Sequence, residues 1–150
     1  MTIYIGADHR GFNLKAIIEA ELGGSGNDVV DVGATTLDPA DDYPEFARAV
    51  GEKVSAVGGD TRGIVICGSG FGVDVVANKF KGVRSALAMS PEHIRVGRHD
   101  DDVNVLAIAA DFMNPTLALE IVRVFLETPF EAGEERYTRR LNMISEIEKA

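Results

Sequence analysis

The segment Gly63-Ile64-Val65-Ile66-Cys67 is apolar without a break. A strand with one wet face would alternate apolar and polar residues. An unbroken run fits a strand covered on both sides, as in a parallel sheet between two layers of helix. Other β-like runs are Ile3–Gly6, Val29–Val32, Ser85–Ala88 and Asn104–Ile108, alongside Ile64–Cys67 itself. The stretches between them are about as long as a crossover helix requires.

Helical periodicity fills those stretches. Leu14, Ile17, Ile18 and Leu22 share one face of a helix expected from about Gly11 to Leu22. A second begins near Tyr43-Pro44, with Phe46, Ala47, Val50, Val54 and Val57 as its apolar stripe. A third follows the glycines after Cys67 and ends near Phe80, and a short one starts after Ser90-Pro91. Asn114-Pro115 is an N-cap followed by a first-turn proline, opening a helix to about Glu127; a last helix covers about Glu134 to Lys149. The alternation predicts a Rossmann-like α/β fold, with residues 1–150 forming one domain.

Ligands of such folds sit outside the carboxyl ends of the strands, near a switch in strand order. Two segments occupy such places: Gly6-Ala7-Asp8-His9, and Cys67-Gly68-Ser69-Gly70-Phe71-Gly72. Alternate glycines let the backbone turn sharply and aim several N–H groups at one point. With the start of the next helix, they favour an anion. That anion could be a thiolate at Cys67 or a charged substrate oxygen. Ser69 adds a hydroxyl. The spacing equally allows a buried strand cysteine before a tight turn. It matches neither G-x-G-x-x-G nor the Walker A pattern, so a nucleotide is not indicated.

Asp8-His9 could move protons or hold sugar hydroxyls, or Asp8 could cap the next helix beside an exposed His9. His99 lies in Arg98-His99-Asp100-Asp101-Asp102, read as a solvated acidic turn before the fifth strand. The calcium-loop spacing is absent there. His93 reads as a surface residue of the short helix. Arg136 and Arg140, four apart, share a helix face and could clamp a phosphate or simply face solvent.

A lone cysteine with three histidines supplies no structural zinc set, and no metal is expected. The single thiol suits a reducing compartment, and the N-terminus lacks a signal-peptide pattern, so a cytoplasmic setting is expected. A formal charge of -9 excludes a global nucleic-acid footprint. No apolar run approaches the roughly 20 residues that span a membrane.

Taken together, several ordered segments resemble the ribose-5-phosphate isomerase type B family, which includes galactose-6-phosphate isomerase subunits. They are Gly6-Ala7-Asp8-His9-Arg10-Gly11-Phe12, Asp42-Tyr43-Pro44, Ile66-Cys67-Gly68-Ser69-Gly70-Phe71-Gly72, Ala77-Asn78-Lys79, Gly82-Val83-Arg84-Ser85-Ala86-Leu87 and Asn104-Val105-Leu106. The resemblance implies a three-layer αβα sandwich with a five-stranded parallel sheet. It also implies a homodimer, or a tetramer, with active sites at the interface. The implied reaction is aldose–ketose isomerisation without cofactor. Cys67 would shuttle a proton between C2 and C1 through a cis-enediolate, with amides around Ser69, Gly70, Phe71 and Gly72 holding the oxyanion. Gly68 belongs to the same loop. Asp8 and His99 would open the sugar ring, Asp100 and Tyr43 would contact substrate, and His9, Arg136 and Arg140 would hold phosphate. His99 would serve the partner's site.

Some family members use a glutamate a few residues after the cysteine position; Val73 stands there, and Asp74 should point elsewhere. Three departures bear on the substrate. The segment after His99 is one residue longer than the family's. Asp111 stands where a phosphate-contacting arginine is common. Two residues are inserted before Arg136, and Tyr137 replaces a common histidine. The expected substrate is D-ribose 5-phosphate, interconverted with D-ribulose 5-phosphate. The alternatives are a tetrose, hexose or deoxy-sugar phosphate, or a non-catalytic sugar-phosphate-binding module.

Overall fold

The computed structural model describes residues 1–149. Its five strands are β1 (Thr2–Ala7), β2 (Asp28–Asp31), β3 (Arg62–Cys67), β4 (Ser85–Leu87) and β5 (Val105–Ala109). The helices are α1 (Phe12–Leu22), α2 (Tyr43–Val57), α3 (Phe71–Ala77), α4 (Pro91–Asp101), α5 (Pro115–Glu127) and α6 (Glu135–Ile147). All strand pairs are parallel, in the order β2-β1-β3-β5-β4. The expected three-layer α/β sandwich is what the chain forms.

Burial follows strand position. Every residue of β3 and β5 is buried, whereas the edge strands β2 and β4 contain no fully buried residue. Along β3 the side chains alternate between two cores. Ile64 and Ile66 join Ile18, Ile121 and Phe125 beneath α1 and α5. Val65 and Cys67 join Val50, Val54 and Val73 beneath α2 and α3. The apolar stripes of α2 and α5 therefore face the sheet from opposite sides. Burying each Ile or Phe side chain contributes roughly 2–3 kcal/mol. Among the described residues, no helix is long and apolar enough to cross a membrane.

Several expected boundaries shift by one or two residues, and two helices differ more. The third helix stops at Ala77, not near Phe80. Asn78 ends it by bonding across to β4: its Nδ2 donates to the Ser85 carbonyl and its Oδ1 accepts from the Ser85 amide. The helix after Ser90-Pro91 is longer than expected and absorbs the supposed acidic turn. His99, Asp100 and Asp101 form its last turn. Ser90 caps its start by accepting from the His93 amide. Arg98 holds its end, donating to Asp102 Oδ1 at 2.8 Å and to the Thr128 carbonyl at 3.2 Å. The chain turns at Asp102, in left-handed backbone with φ 47°. The Asp102 carboxylate also accepts from Arg84 at 2.7 Å.

Candidate active site

The strand order switches between β1 and β3, which are neighbours whose connections leave in opposite directions. Asp8 and His9 follow β1, and Cys67 closes β3. The Asp8 amide donates to the Ile66 carbonyl at 3.3 Å, so the two segments meet at one mouth. This is the crevice that parallel sheets offer to ligands.

Cys67 is 4% exposed, and the Gly70 amide donates to its Sγ at 3.2 Å. Gly70 has φ 75°, a conformation few residues other than glycine adopt. A side chain there would also meet Leu87 Cδ1 at 2.5 Å. The loop thus bends back so that a peptide N–H faces the sulfur. α3 has only seven residues, so this individual amide, more than a long helix dipole, supplies positive charge to Sγ. Ser69 and Phe71 are exposed, and Gly68 is half-buried. Tyr43 opens α2 and lays its ring against Gly72, where a Cβ would stand 2.5 Å from the ring. Val73 is fully buried, and Asp74 accepts from Ser85 Oγ at 2.6 Å. Asp74 is therefore committed to β4, as expected.

Asp8 is 5% exposed. Its Oδ1 accepts from the amides of Arg10 at 2.9 Å and Gly11 at 3.1 Å, tying the turn before α1 without capping the helix itself. Burial pushes its carboxyl above the ordinary 3.8, although both amide bonds and His9 oppose this. His9 Nδ1 lies 2.6 Å from Asp41 Oδ1, which also accepts from the His9 amide. The carboxylate assigns the proton to Nδ1 and leaves Nε2 free to act. Asp41 gave no signal in the sequence beyond standing one residue before the motif Asp42-Tyr43-Pro44. Its Oδ2 is buried and has no partner among the described residues. Asp8, His9 and Asp41 bring potential ligand atoms within 4.8 Å of one another. Their bonds to each other and to amides account for the cluster as a positioning network.

A second group lies elsewhere. α4 runs back from the end of β4 to the start of β5, so its last turn lies at the amino edge of the sheet. His99 is therefore at the opposite edge from Cys67 in the same chain. A six-residue strand separates those edges by roughly 17 Å. His99 Nδ1 is 2.6 Å from Asp100 Oδ1, an arrangement like that of His9 with Asp41. The His99 bond holds the Asp100 carboxyl below its ordinary range, aided by the Tyr137 hydroxyl and the Arg136 charge. The Tyr137 ring meets His99 edge-on at 5.8 Å, and Arg136 stacks over Tyr137 at 5.0 Å. Arg136 also lies 3.7 Å from Glu134. Arg140 follows one turn along α6. His93 is exposed.

One chain thus gathers Asp8, His9, Tyr43, Cys67 and the glycine loop at one end of the sheet, and His99, Asp100 and Arg136 at the other. Asp111, after β5, is paired with Arg10 at 2.6 Å beside Gly68.

The model of the Ribose/Galactose Isomerase family matches residues 3–144. A probable ribose-5-phosphate isomerase B of Mycoplasma genitalium is 41% identical over 147 residues, covering 98% of this chain and 95% of that protein. The crystal structure of the Mycoplasma genitalium ribose-5-phosphate isomerase B with bound ribulose-5-phosphate superposes with a TM-score of 0.95 at 40% identity, covering 99% of this chain and 96% of that one. The ribose-5-phosphate isomerase B of Clostridium thermocellum gives a TM-score of 0.92 at 40% identity, covering 99% and 98%.

Proposed function

The chain belongs to the ribose/galactose isomerase family and is an aldose–ketose isomerase; from that premise we propose that it interconverts D-ribose 5-phosphate and D-ribulose 5-phosphate with Cys67 as its base. The observation that carries the cysteine role is the Gly70 amide donating to Cys67 Sγ. An N–H so placed directs positive charge at the sulfur, and the neighbouring loop amides can serve an oxygen.

The reaction starts with ring opening. Asp8, whose raised pKa suits it to hold a proton, donates to the ring oxygen, while a histidine removes the proton from O1. Cys67 then takes the proton from C2. The C2–H electrons form the C1–C2 double bond, and O1 becomes an oxyanion held by loop amides. Each such donor is worth about 3 kcal/mol in a transition state. The proton on O2 moves to O1, and Cys67 returns its proton to C1, leaving a carbonyl at C2. No net oxidation occurs.

His99 serves this step from a second copy of the chain, along with Asp100, Arg136 and Arg140. Their position at the far edge of the sheet supports a homodimer with shared sites. The lone thiol suits work in the reducing cytoplasm. The direct test mixes the protein with D-ribose 5-phosphate and follows D-ribulose 5-phosphate. Absence of turnover there, but turnover of a hexose or tetrose phosphate, would move the assignment within the family.

A further inference from the structure

The substrate brings about two negative charges on its phosphate. The mouth around Cys67 already holds the carboxylates of Asp8, Asp41 and Asp111. Within one chain, Arg136 lies at the other end of the sheet. Among the described side chains gathered at this mouth, Arg10 brings a permanent positive charge that is open to solvent.

Its placement is specific. The Asp111 amide donates to the Gly68 carbonyl at 3.0 Å, fixing the carboxylate beside the loop. Asp111 Oδ2 stands 2.6 Å from the position a Gly68 Cβ would take, and Arg10 Cγ stands 3.5 Å from it. Only a residue without a side chain lets the pair lie there. Asp111 Oδ2 accepts from both Arg10 Nε, at 3.1 Å, and Nη2, at 2.6 Å. Both bonds go to one oxygen, so this is not a closed fork. Arg10 Nη1 has no partner among the described residues. The Arg10 side chain remains 55% exposed and Asp111 36% exposed. Arg10 is thus held at its base and open at its tip, as a group receiving a phosphate should be.

The geometry points to Arg10 as a substrate-phosphate contact and specificity residue of this chain, with Asp111 as the positioning residue that aims it. This rests on the isomerase reading above. Without Arg10, Asp111 would set a negative charge against the incoming phosphate. With it, the guanidinium faces phosphate while Asp111 keeps the side chain from wandering into solvent. Sugars lacking phosphate gain nothing from the pair.

The test uses Arg10→Ala, Asp111→Asn and the double variant in the full chain, with D-ribose 5-phosphate turnover and calorimetric binding of inorganic phosphate. Arg10→Ala should raise KM and weaken phosphate binding by about 10-fold or more, with a smaller effect on kcat. Asp111→Asn should fall between it and the wild type. The double variant should stay as impaired as Arg10→Ala. Recovery of the double variant to the wild-type KM would mean that Arg10 only neutralises Asp111, overturning the contact. Phosphate binding by Arg10→Ala within about twofold of wild type would overturn it as well. Both side chains are exposed, and melting curves should match the wild type. Arg10→Lys, which keeps charge but loses the fork, should recover part of the phosphate affinity. If the wild type turns over no sugar phosphate, the isomerase reading fails, and the phosphate titrations still judge Arg10 independently.

Discussion

The Gly70 amide and the Cys67 sulfur are 3.2 Å apart, with the N–H directed at Sγ. This contact joins the turn geometry of the loop to the chemistry of its first residue. Replacing Cys67 by Ala should lower kcat by about 10²–10⁴-fold, the usual worth of a positioned base. Binding of substrate, measured by calorimetry, should change little. Wild-type kcat in this variant would remove Cys67 from the mechanism. Iodoacetamide should inactivate the wild type, and substrate should protect it.

Gly70 and Gly72 should respond differently to alanine. At Gly70 the left-handed backbone costs about 1–2 kcal/mol in a residue with a Cβ, and the Ala109 amide nitrogen, 3.1 Å away, cannot yield easily. Gly70→Ala should lower Tm by several degrees (about 2–8 °C) and also reduce kcat. At Gly72 the obstacle is the Tyr43 ring, a partly exposed side chain that can rotate. Gly72→Ala should spare Tm and raise KM. Thermal melts and steady-state kinetics distinguish the two patterns; similar losses in both would contradict the geometry.

Asp8 links stability to pH. Burial raises its carboxyl pKa in the folded chain above 3.8, so the fold holds this proton more tightly than the unfolded chain does. The stability from this group is fully present below about pH 3.8 and is lost as pH rises through the folded value. Asp8→Asn keeps an oxygen for the Arg10 and Gly11 amides but cannot ionise. It should melt above the wild type at neutral pH while losing activity. Its advantage should shrink as pH falls through the folded value towards 3.8 and be gone below it. An advantage that grows towards acid would reverse the sign and sink the assignment.

Shared sites predict complementation. Cys67→Ala and His99→Asn variants should each be nearly inactive alone. When mixed, unfolded and refolded together, random dimers should regain about a quarter of the wild-type rate. Half of the dimers would be hybrids, and each hybrid would carry one site with both residues intact. If His99 served its own chain, the mixture would stay inactive.

Much of the fold was legible because burial in a parallel sheet writes itself as unbroken apolar runs. β3 and β5 stand out for this reason, and the edge strands β2 and β4 are also found to within a residue. The misplaced ends belong to side-chain bonds. Asn78 stops α3 by reaching to Ser85, and Arg98 carries α4 through the aspartates. Periodicity contains no trace of either. At the site, strand ends and glycine spacing led to Asp8, His9 and the Cys67 loop. The service of Asp41 to His9 depends on a loop closing over 32 residues, and the Arg10–Asp111 pair on one closing over 101. Such meetings follow from the tertiary path alone. That path also sets His99 at the other end of the sheet from Cys67.

The burial of Cys67 also filters by size. With the residue only 4% exposed, its sulfur should admit small molecules such as hydrogen peroxide far more readily than a glutathione-sized disulfide. Damage to this thiol should therefore run through direct oxygenation more than through mixed disulfides. The substrate, seated over the loop, would act as its shield.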